Sequence, residues 1–564
     1  CEMKDTNNEI FSQRLVKAVI WNIGLQTFLA VTLVFLIQMN LIHPISWISS
    51  TFEDIISWKM CLNVVLIGLV SFFHAYIYGK YYTAPIPKYF TRFLMFLNIF
   101  SFQNCTFTLL YALNGYFTMS LYSSLAKSDY NMLKKNCKNS DGLCLNEQSL
   151  FLQLGGMWMG LYYFLGAHIF GRKILTFPPI YQEKFQQMKL IIGNVVSMGF
   201  QNSIKPVMYY CLFYWFWGNK PRFVVSDVYS LYLEDPPLDN IINLISSGIW
   251  IGLWFYSSLF FISIYTMRAV FNIVLTEPMK FPIESDKTLT LYGALLQRAQ
   301  FSGYLGAQDL KILAVTDQTR RSQIFTLSQP GGHPRNWTNL LENCLIIIRE
   351  FNKELELING EANGHGDFSN QKPLNPSLSP PTVYYGSLRN MAQSPRSFDI
   401  KNHYKKENED TLATAIKVEF NNAIQKICQK PGIHYFFGEL TDIKLKFLLM
   451  QAQPVIWTCE GLAHIVAASL TEDKYGVVQN DLPVVLSSLI NLKNNLDKLS
   501  KPGLVPRKYL LNDNLAIRMR RAVLSAVKQS IYKIVMTFSK YIHDIPLDHE
   551  VQIAIQPFLA CKEI

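Results

Sequence analysis

Long apolar stretches dominate the first half of the chain, with short polar segments between them. A helix needs roughly 20 apolar residues to cross the hydrocarbon core of a bilayer. Six stretches reach or approach that length, over residues 15–39, 60–77, 93–113, 150–170, 190–217 and 241–267. Pro, Lys, Arg, Trp or Tyr flanks each of them, which is typical of helix ends at headgroup depth. The pattern predicts about six transmembrane helices within residues 1–270.

From residue 289 onward, apolar positions recur every three to four residues, which is the spacing of helices that bury one face. The pattern predicts helices over residues 289–313, 337–357, 412–428, 435–451, 455–470, 482–499 and 515–542. The last helix places an apolar stripe on one face, consisting of Leu524, Val527, Ile531, Ile534, Phe538 and Ile542, with basic residues around it. Such a stripe packs into a bundle core more often than it lies on an anionic membrane, and both interpretations stay open.

Residues 359–410 are rich in Gly, Asn, Ser and Pro and carry no periodic hydrophobic positions. A segment of this composition cannot bury enough apolar surface to fold, so it is predicted to be a disordered linker. The predicted fold is therefore all-α. A six-helix polytopic transmembrane domain (1–270) precedes a cytosolic α-helical domain (271–358 and 411–564), which the linker interrupts.

Composition supports this division. Only 16% of the residues are charged, whereas soluble domains average about 25%. The net charge of +11 does not predict direct nucleic-acid binding, because no aromatic–basic RNA-binding motif or zinc finger accompanies it. Basic loops equally suit an anionic membrane surface.

Basic residues in the short loops predict the orientation. Ten of them precede or begin the first stretch, or lie between stretches two and three or four and five, against seven in the alternate segments. This bias places both termini in the cytosol. It also places Cys137 and Cys144 in a lumenal loop, where an oxidising compartment permits a disulfide; two free thiols are the alternative.

Two further features lie inside the predicted spans. Gly156 with Gly160, and Gly248 with Gly252, have the four-residue spacing that lets helix backbones approach closely. Lys205 lies near the middle of the fifth stretch, before Pro206. An ionisable group in a bilayer suggests function by default. The alternative, which we favour, is that Pro206 breaks the helix and Lys205 reaches the interface or a free carbonyl.

Known catalytic and metal-binding motifs do not occur in the chain, so no enzyme, cofactor or metal is expected. Glu460 and His464 are four residues apart and would share a helical face. Two ligands do not make a metal site, and a hydrogen-bonded structural pair is the favoured interpretation.

Two segments of the C-terminal half closely resemble the nuclear division cycle family of transmembrane nucleoporins. They are residues 328–338 (SQPGGHPRNWT) and 460–479 (EGLAHIVAASLTEDKYGVVQ). Residues 41–48 (LIHPISWI) and 144–147 (CLNE) resemble the first and second lumenal loops of the same family.

The resemblance implies six spans and a cytosolic helical domain, located in the pore membrane of the nuclear envelope. It implies membership of the membrane ring that anchors the nuclear pore complex, and a role in inserting pores into the envelope. The partners it implies are the WD-repeat nucleoporin aladin and membrane-binding linker nucleoporins.

The preferred hypothesis is a non-enzymatic anchor that contacts membrane lipid and scaffold nucleoporins, with self-association left open. Candidate partner or bracing residues are Pro330, Gly331, Gly332, His333, Pro334, Trp337, Trp457, Glu460, Gly461, His464, Glu472 and Asp473. Internal packing is the slightly favoured interpretation of this set. The rivals are a transporter or channel built on Lys205, Asn194, Gln201 and Asn202, and a membrane-bound enzyme using Glu460 and His464.

Overall fold

The computed structural model describes most of the chain and is helical almost throughout. The described residues are 2–37, 39, 42–79, 91–125, 132–137, 142–170, 175, 177–178, 182–246, 248–284, 289–297, 301–327, 329, 332–364, 441–499, 514–542 and 544–560. Its helices in the first half are α1 (Glu2–Ile37), α2 (Pro44–Ile56), α3 (Trp58–Ile77), α4 (Arg92–Ile99), α5 (Phe102–Leu125), α6 (Glu147–Phe164), α7 (Lys184–Trp217), α8 (Asn219–Tyr229), α9 (Ile241–Ser246) and α10 (Ile249–Leu275). A π-helical turn, Leu165–Phe170, continues α6.

Four of these helices are long and apolar enough to cross a membrane, over Asn8–Leu36, Trp58–Ile77, Glu147–Ala167 and Ile249–Leu275. A fifth candidate is the pair Arg92–Ile99 and Phe102–Ser124, which is bent by 51°. The stretch predicted as the fifth span lies within α7, a single helix of 34 residues that is too polar to count among these candidates. Six spans therefore stay a prediction.

The second half forms a helical bundle. Its helices are α11 (Leu291–Leu296), α12 (Phe301–Thr316), α13 (Gln318–Ile324), α14 (Arg335–Gly364), α15 (Thr441–Met450), α16 (Gln453–Glu472), α17 (Leu482–Lys498), α18 (Asn514–Thr537) and α19 (His549–Leu559). Helix α16 packs between α12 and α18, and α14 packs on α17. One hydrophobic cluster extends from α1 to α19, so the bundle shares a core with the membrane half.

Several boundaries differ from the sequence prediction. The helix predicted over residues 289–313 is divided into α11 and α12, which pack on each other; one continuous helix could not fold back in this way. Helix α14 runs to Gly364, six residues into the predicted linker. Asn359 is buried there, and its side chain donates to the carbonyl of Asn495 at 3.3 Å. The rest of that linker and the helix predicted over 412–428 lie outside the described residues.

The apolar stripe of the last long helix packs in the bundle core. Val527, Ile531 and Ile534 are fully buried, and Phe538 and Ile542 are nearly so. Helix α18 ends at Thr537, five residues earlier than predicted, although the turn beyond it continues the buried stripe. The bundle interpretation is therefore correct for these residues.

Candidate membrane and partner-binding surfaces

The outer surface of the first ten helices is strongly apolar. Large exposed hydrophobic side chains on it include Ile20, Trp21, Phe28, Leu69, Phe72, Leu109, Met208, Leu212 and Ile251. Contiguous apolar surface of this extent would be unfavourable in water, and in a folded protein it marks a membrane or partner interface. The helices that carry it include the candidate membrane spans α1, α3 and α10.

Glycine allows α5 and α6 to pack at backbone contact. A Cβ atom added at Gly156 would overlap the carbonyl of Gly115, and one added at Gly160 would overlap the carbonyl of Tyr111. Gly115, which the sequence analysis missed, shares this contact because its own Cβ would overlap Gly156. A glycine therefore lies on at least one of the two helices at each close approach, which lets the backbones come together as in other membrane helix pairs.

The second predicted glycine pair does not pack in this way. No described atom lies within 4 Å of a Cβ added at Gly248 or Gly252. Gly248 instead precedes α10 with a φ of +65°, a left-handed conformation that glycine adopts without strain. The four-residue spacing was therefore misleading here, because the first glycine belongs to a turn rather than to a helix face.

A small antiparallel sheet carries the disulfide. Its strands are β1 (Lys134–Asn136) and β2 (Leu143–Leu145), with Lys135 opposite Cys144. Cys137 is bonded to Cys144, with Cα atoms 5.1 Å apart. Glu234 lies close to both sulfurs, but sulfurs joined in a disulfide cannot act as thiolate metal ligands.

A buried ion pair next to this sheet was not found from the sequence. Arg222 Nε lies 3.2 Å from Glu147 Oε2, and both side chains are more than nine-tenths buried. The other carboxylate oxygen of Glu147 accepts the backbone N–H of Leu238 at 2.8 Å. Glu147 thus ties the start of α6 to the segment that follows α8. The sequence offered one signal for this pair, namely that an acidic residue, Glu147, comes just before the apolar stretch 150–170.

The two halves meet around the first and tenth helices. Arg14 of α1 donates to the carbonyl of Leu275 at 2.8 Å and to that of Glu277, while the Phe11 ring contacts Phe301 of α12. Lys184 Nζ lies 2.6 Å from Glu277 Oε1. Partial burial alone would raise the pKa of Glu277, but the hydrogen bonds and charges of Lys184 and Lys17 hold that pKa below its ordinary value.

A second contact between the halves involves Phe177, in the segment between α6 and α7. Its ring stacks on Tyr304 of α12 at 5.4 Å and meets the edge of Trp457 of α16 at 5.5 Å. Aromatic pairs of this geometry contribute roughly 0.5–1.5 kcal/mol beyond their buried area. The membrane half therefore contacts the bundle both through α1 and through the segment that contains Phe177.

Several predicted partner residues are too buried to contact a partner. Trp337, Trp457 and Gly461 lie in the bundle core. The indole N–H of Trp337 donates to Asp481 Oδ2 at 2.8 Å, and Gly461 allows α16 to approach Leu310 of α12. The partner interpretation is wrong for these three residues, because their surfaces are used inside the fold; they brace the bundle.

Two acids at the end of α16 have structural roles. Glu472 accepts two hydrogen bonds from Arg321 of α13, at 2.8 and 2.6 Å. Asp473 accepts the backbone N–H groups of Tyr475 and Val478, each at 3.0 Å. The bidentate pair raises the pKa of Arg321. Together these contacts hold the turn that leads into α17.

Glu460 and His464 lie on one helical face as predicted, but each has a different partner. Glu460 Oε2 lies 2.6 Å from Lys311 Nζ of α12, and His464 Nδ1 lies 2.7 Å from Lys533 Nζ of α18. Burial, together with the positive charges of Lys533, Lys311 and Arg321, lowers the pKa of His464 to about 4. The predicted mutual pair is wrong, because two neighbouring helices supply the lysines.

The turn before α14 is the most accessible part of the predicted set. His333 is exposed, whereas Gly332 and Pro334 are half-buried. The carbonyl of Pro334 accepts the backbone N–H of Thr338 at 3.0 Å, which begins the helix. Pro330 and Gly331 lie outside the described residues.

Lys205 is exposed on α7, and so are Asn194, Gln201 and Asn202. Helix α7 continues through Pro206, so the expectation of a broken helix is wrong. The amide of Asn202 donates to the hydroxyl of Tyr265 at 3.1 Å. These polar groups face outward rather than lining the interior of the helix bundle, which gives no support to a transport path.

Comparisons with known proteins agree along the whole chain. The profile of the family described as "Nucleoporin protein Ndc1-Nup" matches residues 9–556. Nucleoporin NDC1 of Mus musculus is 26% identical, with 98% of this chain and 97% of the relative aligned. Nucleoporin NDC1 of Homo sapiens and Nucleoporin Ndc1 of Drosophila melanogaster are each 25% identical at the same coverage.

Proposed function

The chain belongs to the Ndc1-Nup family of nucleoporins, and from this premise we propose how its two halves divide the work of a nuclear pore membrane protein. It is a structural component of the nuclear pore and not an enzyme. We propose that the first half crosses the membrane six times, with both termini on the cytosolic or pore side. The second half is then a docking platform for other nucleoporins.

The observation that carries this proposal is the extent of the family match. It runs from residue 9 to residue 556, which includes both the apolar helices and the bundle, and this supports one function for the two halves. The shared core supports mechanical coupling, because a load on the bundle is passed through Arg14 and Phe177 to helices held in lipid. A transporter is not supported, since the relatives are nucleoporins.

The proposed partners are scaffold and linker nucleoporins, including an aladin-like WD-repeat nucleoporin, together with membrane lipid. We assign contact to the turn at His333, which is the exposed member of the predicted set, and to the loop at Tyr475, which was not predicted; both are accessible. The buried members brace this surface. Self-association stays a prediction, and we assign no surface to it.

Localisation and rescue test the function. The full chain, tagged and expressed in cells depleted of their own family member, should concentrate at the nuclear rim and restore pore number. A chain that inserts in the endoplasmic reticulum but restores no pores would contradict anchoring. His333→Ala combined with Tyr475→Ala should reduce recovery of the WD-repeat partner while leaving membrane insertion unchanged.

Cysteine accessibility tests the orientation. Tyr475→Cys and Met132→Cys place a thiol on the bundle and beside β1, at side chains that are 64% and 69% exposed. In sealed microsomes, a membrane-impermeant maleimide should modify the first and spare the second until detergent is added. The unsubstituted chain controls for Cys61 and Cys105, which are also exposed. Modification of both variants without detergent would contradict the orientation.

A further inference from the structure

A groove of about 510 Å³ lies between α6 and α7, with Ala112 of α5 at its edge. Helix α6 contributes Leu154, Met157, Trp158 and Leu161. Helix α7 repeats that spacing with four aromatic residues, from Tyr210 to Trp217. Residues at this spacing share one helical face, so two matching faces border the groove. Its volume is within the range of roughly 300–1,000 Å³ that is typical of ligand clefts.

Three of the four aromatic polar groups around the groove are already bonded to the protein. The hydroxyl of Tyr210 donates to the carbonyl of Phe151 at 2.8 Å, and that of Tyr214 donates to Glu147 at 3.4 Å. The indole N–H of Trp158 donates to the carbonyl of Pro206 at 3.1 Å. These rings therefore present carbon to the groove, and a hydrocarbon occupant fits it better than a polar one.

One end of the groove carries a positive charge. Lys220, at the start of α8, lines this end, and its side chain is exposed. Among the residues that the structure describes, no carboxylate forms an ion pair with Lys220. Trp217 lies beside it and is 49% exposed; tryptophan at this position is typical of headgroup depth.

We propose that this groove holds one acyl chain of an anionic phospholipid whose headgroup pairs with Lys220. The chain fills the aromatic cleft, and the headgroup lies where α7 leaves the apolar core. Charge favours this occupant over a sterol, which offers only a hydroxyl to a lysine. The inference rests on the part of the proposed function that places α6 and α7 in the membrane.

Site-specific photolabelling tests the proposal. The full chain is reconstituted in phosphatidylcholine vesicles containing phosphatidylserine with a diazirine on its acyl chain, and labelled peptides are identified by mass spectrometry. Labelling should concentrate on the α6 and α7 residues of the groove. Leu161→Trp should reduce it at least about fivefold, because the indole takes the volume that the acyl chain needs. Lys220→Gln should reduce it about twofold to fivefold, as for an exposed ion pair.

Two matched variants on α7 control for general effects. Leu212→Trp adds an indole at an exposed α7 position outside the groove, and Lys205→Gln removes an exposed lysine outside it. Both should label like the parent chain. Met157→Trp repeats the filling test if Leu161→Trp elutes as an aggregate.

Three results would overturn the proposal. The first is labelling spread evenly over all exposed apolar faces of the parent chain. The second is equal labelling of the Leu161→Trp and Leu212→Trp chains. The third is a photoactivatable sterol that labels the groove and is not displaced by phosphatidylserine. Release of the parent chain from membranes by alkaline carbonate would instead contradict the proposed function, so the two failures can be distinguished.

Discussion

Several polar side chains in the helical bundle pair across helices. Glu460 and His464 are adjacent on α16, but their partners Lys311 and Lys533 come from α12 and α18. Trp337 likewise reaches Asp481, which lies 144 positions further along the chain. Each such pair places a polar or charged group where burial would otherwise be costly, so each contributes to the choice of a single packing.

Substitution of Trp337 by Phe should destabilise the bundle by about 2 kcal/mol, because a buried hydrogen bond to a charged acceptor is lost. Thermal or denaturant unfolding of the full chain in detergent measures the change. Asp481→Asn keeps an acceptor and should cost about half as much. Equal stability of the Trp337→Phe and parent chains would show that the indole N–H bond contributes nothing.

Acidification should destabilise the fold through His464. Its pKa is about 4 in the folded state, against an ordinary 6.5. The unfolded chain therefore binds more protons between these pH values, and the free energy of unfolding decreases as the pH falls from 6.5 towards 4. The charged groups around the ring are Glu460 of α16, Lys311 of α12, Arg321 of α13 and Lys533 of α18.

Lys533→Met should make this pH dependence shallower, since it removes one of the charges that lower the pKa of His464. The measurement is the unfolding midpoint of the full chain between pH 7 and pH 5. Lys540→Met, an exposed lysine just after α18, should leave the slope unchanged. A steeper slope for Lys533→Met would contradict the assigned cause.

At the scale of the helices, a glycine's role depends on whether another helix packs against it. Helices α5 and α6 meet at Gly115, Gly156 and Gly160, whereas Gly252 lies on an open face of α10. Glycines at the same four-residue spacing therefore make a close helix contact in one place and none in the other. The difference is whether a neighbouring helix is present.

Gly160→Ala should destabilise the membrane half by about 3 kcal/mol or more, because its Cβ overlaps backbone that cannot rotate away. Gly252→Ala is the matched control and should be neutral or stabilising by about 0.5–1 kcal/mol, since alanine favours the helix. Thermal unfolding in detergent and the yield of monodisperse protein report both effects. Similar losses for both variants would contradict the packing role of Gly160.

At the scale of the whole molecule, the bundle and the membrane helices share one hydrophobic core, and specific contacts among the described residues reinforce this joint. Arg14 closes the carboxyl end of α10, and Phe177 inserts between Tyr304 and Trp457. An anchor needs such a joint, because a flexible tether would leave the docking surface free to rotate relative to the membrane.

Arg14→Met should loosen this joint without removing the chain from the membrane. It leaves the carbonyls of Leu275 and Glu277 without this donor, so amide hydrogen exchange should rise at least about tenfold near the end of α10 and in α12. Lys17→Met, on the same helix, removes only an exposed ion pair and should change exchange little. Unchanged exchange in both variants would show that the joint is held by the aromatic contacts alone.

The sequence by itself determined the class of the protein. The length of the apolar stretches identifies the helices that lie in lipid, because a spanning segment must hydrogen-bond its own backbone and expose apolar side chains. The 3.6-residue period predicted the helices that carry Trp337, Trp457 and Ile531, since burial of one face needs only local order. The segments at residues 328–338 and 460–479 indicated the family.

The tertiary structure alone decided the partners. Glu460 pairs with Lys311 of α12, and His464 contacts Lys533 of α18, although both lysines are distant in sequence. Gly115 matters because α6 lies against it, and the pair of Glu147 with Arg222 exists because α8 returns to the start of α6. Contacts of this kind depend on how helices are placed in space, and the periodicity of one helix carries no record of its neighbour.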